Sequence, residues 1–325
     1  MMAETVPFVL GLRTGDLVEV RSKAEILATL DENGCLDALP FMPEMSEYCG
    51  RQFRVYKRAD KACDTIVRDG IRSMPNTVLL DGLRCDGQAH GGCQAACTIF
   101  WKEAWLKPVQ AGRSSEPARK DATKTTKVRS RCTEAMLQQA CCKRNAEGEE
   151  VFSCQATELR KATTFLPWWD LRQYWNDVRT GNFKLRTVVT GLLTSLFNEV
   201  QIRRGGCVYP FVEGKNDGKT PREVLNLKPG EIVQVKTKDE ILATLDKRQR
   251  NRGLSFDREQ VRYCDGKYRV LGRVEKLVDE KNGKMIRIPN DCVVLDKVIC
   301  SGELNRFCPR DLYHFWREIW LKRVD

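Results

Sequence analysis

The heptapeptide EILATLD stands at Glu25–Asp31 and again, letter for letter, at Glu240–Asp246, an offset of 215 positions. The same offset lays "LRTGDLVEVRSKAEILATLD" from Leu12 over "LKPGEIVQVKTKDEILATLD" from Leu227, with twelve of the twenty residues identical. Farther along it lays Tyr48-Cys49 over Tyr263-Cys264, Cys85 over Cys300 and Cys93 over Cys308. Trp101 and Trp105 of "FWKEAWLK" then fall on Trp316 and Trp320 of "FWREIWLK". The repeats run from about 12 to 109 and from 227 to 325, and the insertions and deletions between them cancel. A chain that writes one pattern twice must fold it twice, so each local reading has to suit both copies.

Each copy opens with an alternating apolar strand, Leu17-Val18-Glu19-Val20 or Ile232-Val233-Gln234-Val235, preceded by a turn containing glycine. A short helix follows. Ser22 and Glu25, like Thr237 and Glu240, stand at the S/T-x-x-E spacing of a capping box. "RQFRVYKRADKACDTI" and "GKYRVLGRVEKLVDEKNGKMIRI" read as hairpin strands, and Asn282-Gly283 is a tight-turn signal. "TVLLDGL" and "CVVLDKV" read as a further strand before the closing turn with its paired tryptophans. The expected fold is α+β: two tandem small SH3-like β-barrels, each with short helices, joined by a mainly helical connector. The corresponding domains are 1–109, 110–224 and 225–325.

The connector begins with residues 110–131, where seven Lys/Arg meet two acidic residues, and reads as a mobile basic linker. From Cys132 the pattern turns helical. Leu185, Val188, Val189, Leu192, Leu193, Leu196, Phe197 and Val200 form an apolar stripe at helical spacing. Its expected cover is a core with Phe165, Trp168, Trp169, Tyr174 and Trp175. Lys184, Arg186, Arg203 and Arg204 flank the stripe and admit a membrane surface or another protein as the alternative cover.

Composition narrows the function classes. Apolar residues at 42% and charged residues at 30% suit a soluble globular protein, and no apolar run is long enough to span a membrane. The first residues show no secretory signal, so a cytoplasmic location is expected. In a reducing compartment, fifteen cysteines point to metal binding rather than a disulfide framework. The net charge of +11 invites nucleic acid, anionic lipid or an acidic protein. The two histidines, His90 and His314, occupy non-equivalent places, which counts against histidine-dependent hydrolysis. No phosphate-binding glycine loop or H-E-x-x-H zinc helix is present. These absences weigh against an enzyme without removing that reading.

The duplicated cysteines carry the chemistry. Copy two holds four, Cys264, Cys292, Cys300 and Cys308, the ligand number of a closed zinc site or an iron–sulfur cluster. Cys49, Cys85 and Cys93 match three of them. The fourth, Cys292, falls on Thr77, and Cys63 is the expected substitute if a hairpin turn at Asp69-Gly70 places it across from Asn76. Two structural zinc ions per chain are therefore expected, with an iron–sulfur cluster as the alternative. Copy one adds His90 and Cys97 within "CDGQAHGGCQAAC", whose glycines Gly87, Gly91 and Gly92 let the backbone bend around a ligand or cradle an anion. Cys97, Cys132, Cys142 and Cys154 form a candidate third site. Adjacent Cys141 is not expected to join Cys142 in one small site, and Cys207 is a further candidate.

The segments "YCG…FRVYKRADKACDT…LRCDG-x-AHGGCQ-x-x-C…FWKEAWLK" and "EILATLD…RNRGL…YC…VLDKVICSGELNRFCPR…WREIWLK" resemble uncharacterised bacterial proteins with tandem SH3-like, cysteine-rich barrels. That resemblance spans most of the chain and implies the fold, with no activity attached. The functional expectation is a metal-binding scaffold whose partner is another protein. An iron–sulfur redox or biosynthetic enzyme is the first alternative. A nucleic-acid-binding protein acting through the basic linker is the next.

Overall fold

The computed structural model describes residues 9–67, 70–109 and 132–324. The basic segment 110–131 and Asp69 of the expected turn lie outside the described residues. The fold is α+β. Copy one forms a five-stranded antiparallel sheet in the order Thr98–Lys102, Thr77–Arg84, Gln52–Arg58, Leu17–Val20, Leu106–Pro108. Copy two repeats that order with Tyr313–Arg317, Cys292–Ile299, Lys267–Arg273, Ile232–Val235, Leu321–Arg323. Register slips fall at equivalent places, between Val55 and Lys57 and between Val270 and Gly272. An extra residue on one strand bends it and increases its twist, so each sheet curls around its own core as a half-barrel. Val18, Ile26, Phe41, Trp101 and Trp105 fill the first core, and Val233, Ile241, Phe256, Trp316 and Trp320 the second.

The heptapeptide is duplicated because nearly every side chain in it has a fixed task. Glu25 and Glu240 close the two capping boxes with Ser22 and Thr237. Ile26, Leu30, Ile241 and Leu245 are buried in the cores. The hydroxyls of Thr29 and Thr244 accept the indole N–H of Trp105 at 3.1 Å and of Trp320 at 2.9 Å, which supplies each buried ring with its polar partner. Asp31 accepts the backbone N–H groups of Asn33 and Cys35, and Asp246 those of Arg248 and Arg250, closing the next turn.

A second repeated device lies inside "FWKEAWLK" and "FWREIWLK". The carboxylate of Glu103, fully buried, accepts the N–H groups of Leu10, Gly11 and Leu12 and, at 2.6 Å, a guanidinium N–H of Arg58. Glu318 accepts those of Leu225, Asn226 and Leu227 and, at 2.5 Å, a guanidinium N–H of Arg273. A carboxylate tolerates such burial only when paired and hydrogen-bonded. Each one ties the segment leading into its sheet to the turn that closes it.

The copies face one another with reciprocal contacts. Cys63 donates its backbone N–H to Cys308 Sγ at 3.1 Å, and Val278 donates its own to Cys93 Sγ at 3.3 Å. Val278 is the offset counterpart of Cys63, and Cys93 that of Cys308. Thr65 and Glu280, themselves one offset apart, hydrogen-bond to each other and so mark a pseudo-two-fold axis.

The connector is a mixture of helix and strand. It comprises helices Glu134–Cys141, Arg172–Arg179 and Leu185–Arg203, a hairpin of Cys142–Arg144 with Glu150–Phe152, and a strand, Thr164–Leu166, that pairs with Ile71–Ser73 of copy one. The apolar stripe does not pack on the expected aromatic core. Phe165, Trp168, Trp169 and Trp175 are between 51% and 66% exposed. The long helix is instead seated through one narrow edge, where Val188 and Leu192 join Tyr174 against Phe307 of copy two.

Replacing Glu103 by Ala would leave Arg58 and three backbone donors without their acceptor. The expected loss is about 3–5 kcal/mol, the range for breaking a buried ion pair. Denaturant unfolding measures it, and a loss below about 1 kcal/mol, the size of a surface pair, would contradict the role given to this carboxylate.

Candidate metal centre

The loops Cys85–Cys93 and Cys300–Cys308 share one backbone course. A Cβ on Gly87 would lie 1.9 Å from the Cys93 carbonyl oxygen, and one on Gly302 would lie 2.0 Å from that of Cys308, so both positions require glycine. Gly92 and Phe307 donate their N–H groups back to the Gly87 and Gly302 carbonyls at 2.8 Å in each case. The Cys-x-Gly-x5-Cys spacing is thus the length needed to turn the chain back on itself.

What the loops hold differs between the copies. In copy two, Glu259 accepts the N–H of Ser301 at 2.8 Å, the Ser301 hydroxyl at 2.6 Å and the Leu304 N–H at 2.7 Å. In copy one the equivalent carboxylate is Glu44, and Asp86 stands where Ser301 would offer a hydroxyl; Asp86 accepts the Gln88 N–H at 2.9 Å instead. Glu44 Oε1 lies 3.2 Å from Cys85 Sγ and 3.5 Å from His90 Nδ1. Its Oε2 is buried with no hydrogen-bond partner among the described residues.

His90 is buried, and its Nε2 lies 3.2 Å from the Ser153 carbonyl. A carbonyl only accepts, so Nε2 donates to it, and the other ring nitrogen, Nδ1, faces Glu44 Oε1 and Cys85 Sγ, the latter 4.0 Å away. This is the orientation of a metal-ligating histidine, whose outer nitrogen donates to a second-layer acceptor. Cys85 occupies Cys300's place, and in copy two Asn305 replaces His90 and donates to Cys300 Sγ at 3.8 Å. Burial, followed by the negative charge of Glu44, pushes the Cys85 thiol up from its ordinary value.

The three ligand atoms test well against a cation. Tetrahedral zinc, with bonds of roughly 2.0–2.3 Å, sets its ligand atoms about 3.4–3.6 Å apart. The observed separations are 3.2, 3.5 and 4.0 Å. Cys85 and His90 also line a small cavity of about 40 Å³ together with Cys93, Cys97 and Cys154. Gln155 delivers Cys154 there: its side-chain amide accepts the Phe100 N–H at 2.8 Å and donates to the Phe100 and Pro40 carbonyls at 2.9 and 3.1 Å. Burial raises Cys97 to about 12 and Cys154 to about 11.

Among the described residues, Glu44, Cys85 and His90 form the one group of three or more His, Cys, Asp or Glu whose ligand atoms all lie within 4.8 Å of one another. The sets expected from the sequence are distributed otherwise. Cys49 and Cys264 cap the ends of 3-10 helices and pack against their own cores. Cys63 lies opposite Ile71, not beside Asn76, and its hairpin reaches Cys308 of the other copy. Cys292 begins its strand opposite Arg317, packed with Val274 and Val294. Of the connector set, Cys97 and Cys154 reach the copy-one cavity, whereas Cys132 is buried against the copy-one core and Cys142 lies on its hairpin beside Glu150. Cys141 is buried and directs its thiol to the Leu137 carbonyl, and Cys207 is exposed. Glu44 escaped the sequence reading because a lone glutamate carries no motif. Comparing the copies exposes it, since Glu44 and Glu259 match while Asp86 and His90 replace Ser301 and Asn305.

A scan of protein-family models, a search of curated proteins and a search of solved structures each found no match to this chain.

A second thiol feature lies between the copies. Cys63, Cys300 and His314 line a groove of about 550 Å³. The hydrogen bond from Cys308, helped by the charge of Arg310, draws the Cys63 thiol below its ordinary value, while burial raises Cys300 to about 12. The thiolate is the reactive form, so alkylation near pH 8 followed by peptide mass mapping is expected to mark Cys63 well ahead of Cys300. Equal rates at the two positions would contradict this electrostatic reading.

Proposed function

We propose that the protein is a metal-dependent binding scaffold: two SH3-like barrels and a partly helical connector, with one zinc ion held in copy one. Cys85, His90 and Glu44 supply three ligands, and the fourth would come from a cavity thiol, Cys93, Cys97 or Cys154, drawn in from beyond the 4.8 Å within which those three lie. The observation that carries the reading is the Glu44 carboxylate, whose Oε1 faces the Cys85 thiol and His90 Nδ1 while its buried Oε2 has no hydrogen-bond partner among the described residues. Copy two serves as the internal reference. There the same carboxylate is saturated by loop donors, and asparagine stands in place of histidine.

With four ligands from the chain, the ion has no open position for substrate, so its role is structural rather than that of a Lewis acid. It would fasten together the Cys85–Cys93 loop, the 3-10 helix Pro43–Tyr48 that carries Glu44 and, through Cys154, the connector. Structural zinc contributes on the order of 10 kcal/mol to folding, comparable to the whole stability of a domain. The fifteen free thiols suit the reducing cytoplasm, and the scaffold's partner is read as another protein.

The iron–sulfur alternative draws on the four thiols Cys85, Cys93, Cys97 and Cys154 around one cavity. The volume of that cavity, about 40 Å³, holds about three water-sized species, so it suits an ion better than a bulky cluster.

Elemental analysis of the purified chain is expected to give one zinc per chain. Cys85→Ser and His90→Ala should abolish that zinc, and Cys264→Ser should retain it. Zinc uptake should release protons and weaken as pH falls, because the raised thiols must deprotonate to bind. Iron with inorganic sulfide, or full zinc retention in Cys85→Ser, would overturn the proposal.

A further inference from the structure

The long helix Leu185–Arg203 presents Leu185, Val189, Leu193, Leu196 and Val200 along one side, each between 38% and 63% exposed. Their spacing of four, four, three and four residues forms a continuous stripe about 22 Å long at 1.5 Å per residue. The opposite side anchors the helix. A Cβ on Gly191 would lie 2.5 Å from Phe307 Cζ, and Asn198 exchanges two hydrogen bonds with the Tyr209 backbone, at 2.7 and 3.1 Å. The exposed stripe is therefore held outward by a fixed seat.

The neighbouring helix Arg172–Arg179 packs against it, and that helix with the turn leading into it exposes further large apolar side chains. Trp168, Trp169 and Trp175 are 59%, 63% and 66% exposed, and Leu171 is 70% exposed. Trp168 and Trp169 stack edge to face at 5.8 Å. An apolar surface of this kind on a monomer marks an interaction site.

The charges around it select the occupant. Residues 165–211 carry six Lys/Arg and three Asp/Glu. Of the acidic groups, Asp177 is buried against Lys61, Asp170 is paired with Arg172 and Glu199 with Arg203. Lys184 and Arg186 stand at one end of the stripe, and Arg203 and Arg204 at the other, all exposed. Because both ends are basic, pairing the stripe with a second copy in either direction would set cation against cation. A surface that is apolar within and anionic at its rim satisfies both features. Tryptophan, apolar in body with one N–H donor, prefers the same headgroup layer.

We propose that this face binds an anionic phospholipid bilayer, with the Leu185–Arg203 helix lying in the plane of the interface. The apolar stripe and Trp168, Trp169 and Trp175 enter the boundary between headgroups and acyl chains, while Lys184, Arg186, Arg203 and Arg204 meet the lipid phosphates. No helix among the described residues is long and apolar enough to cross a membrane, which fits attachment at the surface. The inference is independent of the metal centre.

The test is cosedimentation of the full chain with vesicles of equimolar phosphatidylcholine and phosphatidylglycerol, alongside vesicles of phosphatidylcholine alone. Binding to the anionic vesicles is expected, weakened by salt, with at least a tenfold lower affinity for the neutral ones. Four of the seven tryptophans, Trp101, Trp105, Trp316 and Trp320, are fully buried, so quenching by brominated lipid reports on the other three. Trp168→Ser/Trp169→Ser/Trp175→Ser should lose binding at least tenfold with an unchanged circular dichroism spectrum. These surface changes spare both cores; should the triple variant misfold, Leu193→Glu alone is expected to give the same loss. Absence of binding to anionic vesicles, equal binding by the folded variants, or a stable dimer whose association the same substitutions abolish would overturn the proposal.

Discussion

A buried carboxylate that must be fully hydrogen-bonded is the constraint on which the rest of this structure depends. Glu103 and Glu318 sit in apolar cores and are tolerated because three backbone N–H groups and one guanidinium surround each of them. Meeting that requirement brings the start of each copy onto its last turn. The closing turn in turn places the paired tryptophans, and Trp105 and Trp320 find their acceptors on Thr29 and Thr244 of the heptapeptide. The offset of 215 survives because these partners cannot change independently.

The same physics explains where the copies have been free to part. Glu259 is saturated by the loop it faces, so copy two needs nothing further there. In copy one, Asp86 in place of Ser301 removes a hydroxyl donor to the carboxylate, and His90 in place of Asn305 sets an imidazole nitrogen beside it. The result is a concentration of negative and lone-pair character that a cation would relieve. A duplicated frame has thus acquired two different interiors, one completed by hydrogen bonds and one suited to a metal. The pseudo-two-fold contact between the copies shows a similar divergence, with Cys63 facing Cys308 on one side and Val278 facing Cys93 on the other.

Local features were legible in the sequence. Both capping boxes depend on a few adjacent residues and occur as read, whereas Asn282-Gly283 lies in a longer loop closed by Asp279 and Lys284 instead of forming a two-residue turn. The opening strands and the closing tryptophan turns follow from alternation and repetition. Ligand sets were less legible, because which thiols meet is decided by packing between the copies and with the connector. Cys63 belongs by sequence to copy one yet reaches Cys308, and Cys154 arrives only because Gln155 binds the backbone of the Thr98–Lys102 strand. Periodicity located the Leu185–Arg203 helix but was silent on which side would be covered. Gly191 was the overlooked signal, since a residue without a side chain in a strong helix often marks close packing.

The most direct test of the account is X-ray absorption spectroscopy at the zinc edge on the purified full-length chain. The structure predicts a first shell of mixed sulfur, nitrogen and oxygen scatterers, with the outer-ring signature of one imidazole from His90. An all-sulfur shell, or one lacking imidazole, would contradict the assignment of Glu44, Cys85 and His90.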